Sequence, residues 1–345
     1  MTKIICVGDI HIKLDNTHLI DSIEEQLTTY INKYEVNYVI LLGDILHYHE
    51  KLHTQSLNKA CKFIENLSQL TKVICIVGNH DYIQNGEFCS TNHWLNPLKK
   101  WKNVFVIDEP TMFEDSWICI PYVPPGRFIE ALNLHLDEKW KQSDIIFAHQ
   151  EFKGCKMGAI ISEIGDEWDL NNPLVISGHI HDRQQPQPNI NYIGSCLQHS
   201  FSETGYPILL LVDNVNDLKE LSLVLPRKKS VYVNLEEMKN ELNSSDFDNL
   251  QDKNIESLRI VVKGDYDKFK VFQQSKKYEE LQKNKNIKIV FKPILEEEIV
   301  VENIQETFED LLYKNVLRTR DEKLYTIYQN IIYDVDINFD DILIV

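Results

Sequence analysis

Short apolar runs rich in Val, Ile and Leu recur along the first two thirds of the chain, separated by longer amphipathic stretches. Runs of about four to eight such residues are typical of buried strands, whereas apolar positions repeated every three to four residues are typical of helices. The pattern predicts helices at residues 16–34, 54–70 and 127–140. It predicts strands at residues 3–8, 38–43, 73–78, 103–107, 117–121, 144–149, 174–178, 190–194 and 207–213. This alternation favours an α/β fold with a mixed sheet.

Polar segments follow five of these runs directly, and each contains Asp, Asn or His but no Cys. One such segment alone would be weak evidence, because Gly with Asp or Asn is the usual composition of a turn. Five in this order indicate a two-metal centre, because open α/β sheets build their sites at the carboxyl ends of strands. Oxygen and imidazole donors suit manganese, iron or zinc. The segments are Asp9-Ile10-His11, Gly43-Asp44, Gly78-Asn79-His80-Asp81, His149 and Gly178-His179-Ile180-His181.

These segments resemble those of the calcineurin-like metallophosphoesterase superfamily. Within it, the chain resembles the SbcD family, the nuclease subunit of a DNA double-strand-break repair complex, and most of all its shorter phage and viral members. The resemblance implies a sandwich of mixed β-sheets flanked by helices, followed by a small α+β capping domain and C-terminal helices. Its motifs span residues 1 to about 213. They are specific for the fold and the metal centre, and less so for the substrate.

The resemblance also implies a role for each motif residue. Asp9, His11 and His181 would hold one metal ion, Asn79, His149 and His179 the other, and Asp44 would bridge the two. His80 matches a histidine that acts in catalysis without binding metal, and His47 matches a second histidine that the family uses in exonuclease work. Asp81 is the expected orienter of an imidazole, with a turn cap as the alternative. His18, His93, His135 and His199 match nothing and are interpreted as structural or surface residues.

One further segment resembles the family. Gly194-Ser195, with Ser200-Phe201-Ser202-Glu203, is similar to a loop in which the family usually has Pro at the position of Cys196 and Gly at that of Ser202. These departures weaken any role assigned to the loop, but they leave the metal ligands unaffected.

Charge is unevenly distributed along the chain, whose net charge is −17. Residues 226–293 hold 15 Lys and Arg against 11 Asp and Glu, whereas residues 1–225 and 294–345 are both acidic. We therefore predict a nuclease domain at 1–225, a capping domain that binds DNA at 226–293, and a helical segment at 294–345. The capping domain reads as a strand at 258–264, a helix at 265–283 and a strand at 287–293. Only a subset of its lysines can face DNA, and Lys276, Lys277 and Lys283 are the candidates.

The C-terminal segment carries two apolar stripes at helical spacing. In the SbcD family, C-terminal helices bind the coiled-coil ABC ATPase SbcC, and the same partner is expected here; packing on the chain's own domain is the alternative. A homodimer through residues 54–70 or 85–101 is also expected from the family. The stripes consist of Val301, Ile304, Phe308, Leu311 and Leu312 on one helix and of Leu324, Ile327, Tyr328, Ile331 and Ile332 on the other.

The favoured function is a manganese-dependent DNA exonuclease and single-strand endonuclease; iron, magnesium and zinc are alternative metals. The alternatives are a stand-alone phosphoesterase acting on small phosphodiesters or phosphoproteins, and a non-enzymatic scaffold for the ATPase. Seven Cys without a Cys-x-x-Cys pair favour a reducing compartment, and no signal peptide or membrane span is found. We therefore expect a cytoplasmic protein, in the host cytoplasm if the source is a phage or virus.

Overall fold

The computed structural model describes residues 2–49, 51–114, 116–158, 160–203, 205–214, 216–236, 255–284, 286–294 and 308–319, together with Leu324 and Tyr328. The chain divides into two compact units, Met1–Pro293 and Ile294–Val345. Among the described residues, no helix combines the length and apolar character needed to cross a membrane.

The described residues form the following regular elements. The helices are α1 (Thr17–Tyr34), α2 (Thr54–Leu70), α3 (Phe128–Leu136), α4 (Tyr266–Gln273), α5 (Lys276–Lys283) and α6 (Phe308–Thr319). The strands are β1 (Ile4–Val7), β2 (Tyr38–Leu41), β3 (Lys72–Ile76), β4 (Val104–Ile107), β5 (Thr111–Phe113), β6 (Trp117–Cys119), β7 (Ile145–His149), β8 (Lys156–Met157), β9 (Ile160–Ile161), β10 (Leu174–Gly178), β11 (Gln184–Gln187), β12 (Ile190–Tyr192), β13 (Ile208–Asn214), β14 (Asp217–Ser222), β15 (Arg227–Asn234), β16 (Ile255–Gly264) and β17 (Ile287–Pro293).

Two six-stranded sheets form the core of the first unit. One has the order β14-β13-β1-β2-β3-β4 and the other the order β11-β12-β10-β7-β6-β5. In the first sheet β1 to β4 are parallel, and β13 pairs antiparallel with β1. In the second, β10 lies parallel to both β7 and β12. The mixed sheets flanked by helices confirm the predicted metallophosphoesterase sandwich.

The side chains of β1 point alternately to the two faces of the first sheet, which shows how the sequence specifies these layers. Ile4 and Cys6 pack toward the second sheet, in a cluster that includes Phe147. Ile5 and Val7 point the other way and pack with α1 and α2. Successive strand residues face opposite sides of a sheet, so a continuous apolar run is suited to a strand that is covered on both faces.

Residues 226–293 form a third sheet, with three parallel strands in the order β15-β16-β17. Helices α4 and α5 cross over between β16 and β17 and cover one face. The apolar cluster beneath them includes Leu258, Ile260, Val262, Phe269 and Leu281. This sheet therefore has a core of its own while lying within the first compact unit, and the predicted boundary at residue 226 stays a prediction.

Three sequence predictions differ from the structure. The helix predicted at 265–283 is two helices, because the Ser275 side chain caps the start of α5 by accepting from the Tyr278 amide at 3.2 Å. The strand β15 lies where a boundary was predicted, since its Arg227-Lys228-Lys229 start is typical of an edge strand rather than of a core run. The predicted helix 127–140 ends at Leu136 and continues as a 3₁₀ turn, Asp137–Gln142.

The segment 85–101 was one of the two candidates for a dimer helix, and it does not form an α-helix. Its only helical stretch is a 3₁₀ turn, Asn96–Lys100, in which Pro97 stands near the start. Residues 54–70 do form a helix, α2, and a homodimer stays a prediction.

Only part of the predicted C-terminal helix pair lies within the described residues. The first helix is present as α6, and its residues Val301 and Ile304 lie outside the described part. Of the second helix, Leu324 and Tyr328 are helical, and the Tyr328 ring lies 5.7 Å from that of Tyr313. Ile327, Ile331 and Ile332 lie outside the described residues.

Candidate metal centre

The five polar segments meet where the carboxyl ends of strands from both large sheets come together. Asp9, Asp44 and Asn79 follow β1, β2 and β3 of the first sheet. His149 ends β7, and His179 follows β10, in the second sheet. The site therefore spans the two sheets, as the order of the segments predicted.

Tight backbone turns bring these loops close together. His11, Asp44 and His179 adopt positive φ angles of 45°, 51° and 75°. Side chains other than glycine rarely take up this conformation, and it is often found at functional sites. Gly43 also has a positive φ, 98°, and a Cβ there would lie 2.5 Å from His149 Nδ1. Only glycine fits at this position, which holds the Asp44 turn against His149.

Three of the predicted ligands form the first group. His11 Nε2 lies 3.1 Å from His181 Nε2, and His181 Nε2 lies 3.8 Å from Asp9 Oδ2. All three side chains can place one donor atom within 4.8 Å of the others. The resemblance assigned these same three residues to one metal ion.

The second group lies beside the first. Asn79 Oδ1 is 3.0 Å from both His149 Nε2 and His179 Nδ1. The two imidazole nitrogens are 3.3 Å apart. Asp44 lies between the groups: its Oδ2 is 3.5 Å from His11 Nε2, and its Oδ1 is 3.3 Å from His149 Nε2. This position is the one expected of a bridging carboxylate.

The charges at the site fit divalent cations. Asp9 and Asp44 are buried, and their ion-pair partners among the described residues are imidazoles rather than Lys or Arg. Burial alone would raise the pKa of Asp44, but His149 and His11 hold it well below its usual value. Burial would likewise lower the pKa of His149, yet Asp44 and Asp9 raise it to about 9.

Neighbouring groups fix the orientation of the ligands. His149 Nδ1 donates to the Leu42 carbonyl at 2.7 Å, which leaves Nε2 to face the site. Glu203 Oε1 lies 3.2 Å from His181 Nδ1 and orients that ring in the same way. Such contacts set the tautomer and the basicity of a metal-binding histidine. Glu203 belongs to the loop that resembles the family, so the sequence carried a signal for it.

Two further histidines lie on the outer side of the centre. His80 Nδ1 donates to the His47 carbonyl at 2.6 Å, and the two rings lie nearly parallel with centroids 5.6 Å apart. The His47 ring is half-buried, and its Nδ1 lies 3.4 Å from His11 Nδ1. His49 stacks on the His80 ring at 4.5 Å. The structure thus brings His80 and His47 to the metal centre, as predicted.

Asp81 contacts no imidazole among the described residues, so the predicted orienting role is not what its contacts show. Its carboxylate accepts hydrogen bonds from the backbone amides of Gly78, Ile45 and Leu46 and from the indole of Trp94. These contacts are those of a buried turn cap, the alternative considered for this residue. Burial and the nearby Asp44 raise the pKa of Asp81 to about 6.

His199 lies at the centre although no motif pointed to it. Its Nε2 is 3.1 Å from the Asp9 carbonyl, and its ring centroid is 4.9 Å from that of His11 and 5.0 Å from that of His181. Burial and His181 lower its pKa to about 4. The turn of residues 195–203 carries His199 to the centre, where its contact with the Asp9 carbonyl is compatible with the structural role interpreted from the sequence.

The proposed DNA-binding lysines lie on the helix-covered side of the third sheet rather than at the turn of residues 195–203. Lys276, Lys277 and Lys283 belong to α5, which packs through Leu281 and Tyr278 on the helix-covered face of the third sheet. We call residues 195–203 the metal-site loop. The third sheet contacts this loop through Lys228 on its first strand and Arg259 on its second.

The calcineurin-like phosphoesterase family matches residues 2–183, which contain every ligand described above. The chain belongs to this family. Family members use a dinuclear metal centre, and the donor groups found here fit one. The protein is accordingly a metal-binding phosphoesterase.

Two viral relatives agree with this assignment. "Putative phosphoesterase 244L" of Invertebrate iridescent virus 6 is 43% identical over 286 residues, 79% of this chain and 98% of the relative. "Putative phosphoesterase 078R" of Invertebrate iridescent virus 3 is 36% identical over 333 residues, 93% of this chain and 94% of the relative. The chain also matches the structure of Yfce, a phosphoesterase from E. coli, at 11% identity and a TM-score of 0.32, over 64% of this chain and 100% of that one.

Proposed function

We propose that the protein is a DNA phosphodiesterase of the SbcD type, with manganese as the most suitable metal. The observation that supports this proposal most directly is a cleft between the metal centre and the three-stranded sheet. The cleft has a volume of about 550 Å³. His199, whose Nε2 lies 3.1 Å from the Asp9 carbonyl, lies in its wall and connects the cleft with the metal centre, whose ligands do not themselves line it.

One wall of this cleft comes from residues near the metal centre and the other from the third sheet. Lys13 and His18 line it on the metal-site side, and Lys228 on the side of the third sheet. Asp15 and Glu256 also line it, so its charge is mixed rather than uniformly basic. Cations on both walls suit a substrate with further phosphates beyond the one that is cleaved. A nucleic acid strand has such phosphates, whereas a small phosphodiester does not.

Residues around the centre have distinct roles in the proposed reaction. Two divalent cations, when bound, stabilise the charge that develops on the phosphate and make water acidic enough to act as the nucleophile. His80 donates from Nδ1 to the His47 carbonyl, so its Nε2 is the nitrogen that remains to act on the leaving oxygen. Nε2 can give that oxygen a proton when the ring is in its imidazolium form, and the ring is then left neutral. His47 lies beside it, where it can contact the strand that carries the leaving group. Oxygen and imidazole donors without thiolate are the support for manganese.

Parallel assays on three substrates test this proposal. With manganese, the protein should degrade linear duplex DNA from its ends, cut circular single-stranded DNA, and hydrolyse bis-p-nitrophenyl phosphate. His47→Ala should lose duplex degradation while it retains hydrolysis of the small diester; His135→Ala, at a half-buried site paired with Glu109, is the control. Hydrolysis of the small diester with both DNA substrates intact would overturn the nuclease proposal in favour of a small-substrate phosphoesterase.

We also propose that residues 294–345 bind an SbcC-like coiled-coil ABC ATPase. The support is their apolar stripes in an acidic segment, which suit a groove on a partner with basic edges. Because these residues form a compact unit separate from Met1–Pro293, deleting residues 300–345 should leave manganese-dependent cleavage of single-stranded DNA unchanged. The deletion should abolish co-purification with such an ATPase and any stimulation by ATP. Loss of metal binding in the truncated protein would contradict the proposal.

A further inference from the structure

We infer that the face of the three-stranded sheet opposite α4 and α5 binds the phosphate backbone of DNA that enters the metal centre. The inference rests on the proposed function and adds to it the surface that holds the substrate outside the cleft. It also replaces the α5 lysines as the main DNA contacts.

Strand register defines this face, which we call the basic sheet face. Alternate residues of β15, β16 and β17 point toward the helices and form the apolar cluster, so the residues between them point to the opposite side. The rows on that side are Lys228–Ser257, Ser230–Arg259–Lys288, Tyr232–Val261–Val290 and Asn234–Lys263–Lys292. These rows, all within the described residues, contain five cationic side chains and no carboxylate.

The basic sheet face begins at the metal-site loop. Lys228 Nζ donates to the His199 carbonyl at 2.9 Å. The Arg259 guanidinium lies over the Phe201 ring at 4.8 Å, and Arg259 Nε donates to Ser230 Oγ at 3.0 Å. Lys228 also lines the cleft that His199 connects with the metal centre. A strand leaving the cleft on this side therefore meets the basic sheet face directly.

The face is long enough for several phosphates. Lys263 lies four positions after Arg259, which corresponds to about 13 Å along the strand at about 3.3 Å per residue. One strand of duplex DNA has a phosphate about every 3.4 Å of helix axis, so this length, laid along the axis, covers roughly four of them. Lys263 and Lys292 are exposed at the end away from the metal-site loop, and Lys288, which is also exposed, pairs in register with Arg259.

The distribution of charge favours the basic sheet face over the rest of the surface as the place where DNA binds. The chain as a whole is strongly acidic, at −17, so a polyanion is repelled by most of the molecule. On α5, two carboxylates, Glu279 and Glu280, lie between Lys276 and Lys277 at its start and Lys283 at its end. All charged residues in the rows of the basic sheet face are cations. This face is therefore the surface suited to sequence-independent contacts with phosphate.

Two triple variants of the full chain test the inference. One replaces Lys263, Lys288 and Lys292 by Gln, and its matched control replaces Lys276, Lys277 and Lys283 by Gln. The same amount of charge is removed from the same domain in both. Affinity for a fluorescent duplex is measured across a range of salt concentrations without divalent metal, alongside hydrolysis of bis-p-nitrophenyl phosphate with manganese.

For the sheet-face variant we expect the slope of log affinity against log salt to become shallower by about 0.9 for each phosphate that the protein no longer neutralises. The control variant should keep the parental slope, and both should hydrolyse the small diester at the parental rate because neither set of lysines touches the metal centre. A parental slope in the sheet-face variant, or an equal change in the control, would overturn the inference and leave the nuclease proposal standing. A parent protein that hydrolyses the small diester but binds no DNA would overturn both.

Discussion

His80 donates a hydrogen bond from its ring nitrogen Nδ1 to the backbone carbonyl of His47 at 2.6 Å. This contact fixes the tautomer and the direction of the His80 ring without using a metal ion or a carboxylate. It also ties the loop after β3 to the loop after β2, so the proposed proton donor is positioned by the same turn that carries Asp44.

His80→Ala should therefore lower the rate of DNA cleavage by roughly 10²–10⁴-fold while both metal sites are retained, since the ring acts on a proton and not on a cation. His49→Ala is the matched control, because His49 stacks on His80 but, among the described residues, contacts no metal ligand. Cleavage rates and manganese titration of both variants provide the measurement. Cleavage at the parental rate by His80→Ala would exclude the role proposed for this ring.

Asp44→Ala should disturb both metal sites, because each carboxylate oxygen faces a ligand of a different group. Calorimetric titration with manganese should show one site or none in place of two. Asp108→Asn is the control: it alters a buried carboxylate paired with His93 and Lys99, outside the metal centre, and should keep both sites. Two unchanged sites in Asp44→Ala would contradict the bridging assignment.

Glu203→Gln should weaken one metal site selectively. Glu203 contacts His181 Nδ1, and losing its charge should lower the affinity of the site held by Asp9, His11 and His181 by about 10–100-fold. The site held by Asn79, His149 and His179 serves as the internal control in the same titration. An equal loss at both sites would indicate that Glu203 supports the fold of the loop rather than the orientation of His181.

Asp81→Ala should lower the free energy of unfolding by about 3 kcal/mol, because it leaves several buried N–H groups without an acceptor. Trp94→Phe removes one of these donors together with its hydrogen bond and should cost about 1 kcal/mol. Urea unfolding of the metal-free proteins compares the two. A variant Asp81→Ala with parental stability and strongly reduced activity would instead support the imidazole-orienting role that the sequence suggested.

The sequence indicated that the proposed metal ligands lie together, for a simple physical reason. Each of the five segments follows an apolar run, and the fold gathers the carboxyl ends of such strands at one place, so Asp9 and His149 could be expected at one site without knowing the loops between them. The position of His199 could not be predicted in this way. It depends on the path of an irregular turn, and although the neighbouring residues resemble a family loop, His199 itself matches no residue of that loop.

The third sheet shows that the prediction of secondary structure from the sequence was also incomplete. The strands β16 and β17 were predicted because their apolar residues alternate, and β15 was missed because its lysines and arginine obscure that alternation. The DNA-binding lysines were then sought on a helix. With β15 in place, the register of Lys228 and Arg259 points to the opposite side of the sheet.

The ligands of the metal centre are divided between the two large sheets. Asp9, His11, Asp44 and Asn79 come from the first sheet, and His149, His179 and His181 from the second. A cation that binds both sets is a cross-link between the two layers, in addition to their apolar contacts and hydrogen bonds such as that of His149 to the Leu42 carbonyl. Its binding energy becomes folding energy, because the unfolded chain has no such site. At a free metal concentration of about 100 times the dissociation constant, each site would add about 2.7 kcal/mol to the stability. The melting temperature should therefore rise with metal concentration, and a chelator should loosen the sandwich along the seam between its sheets.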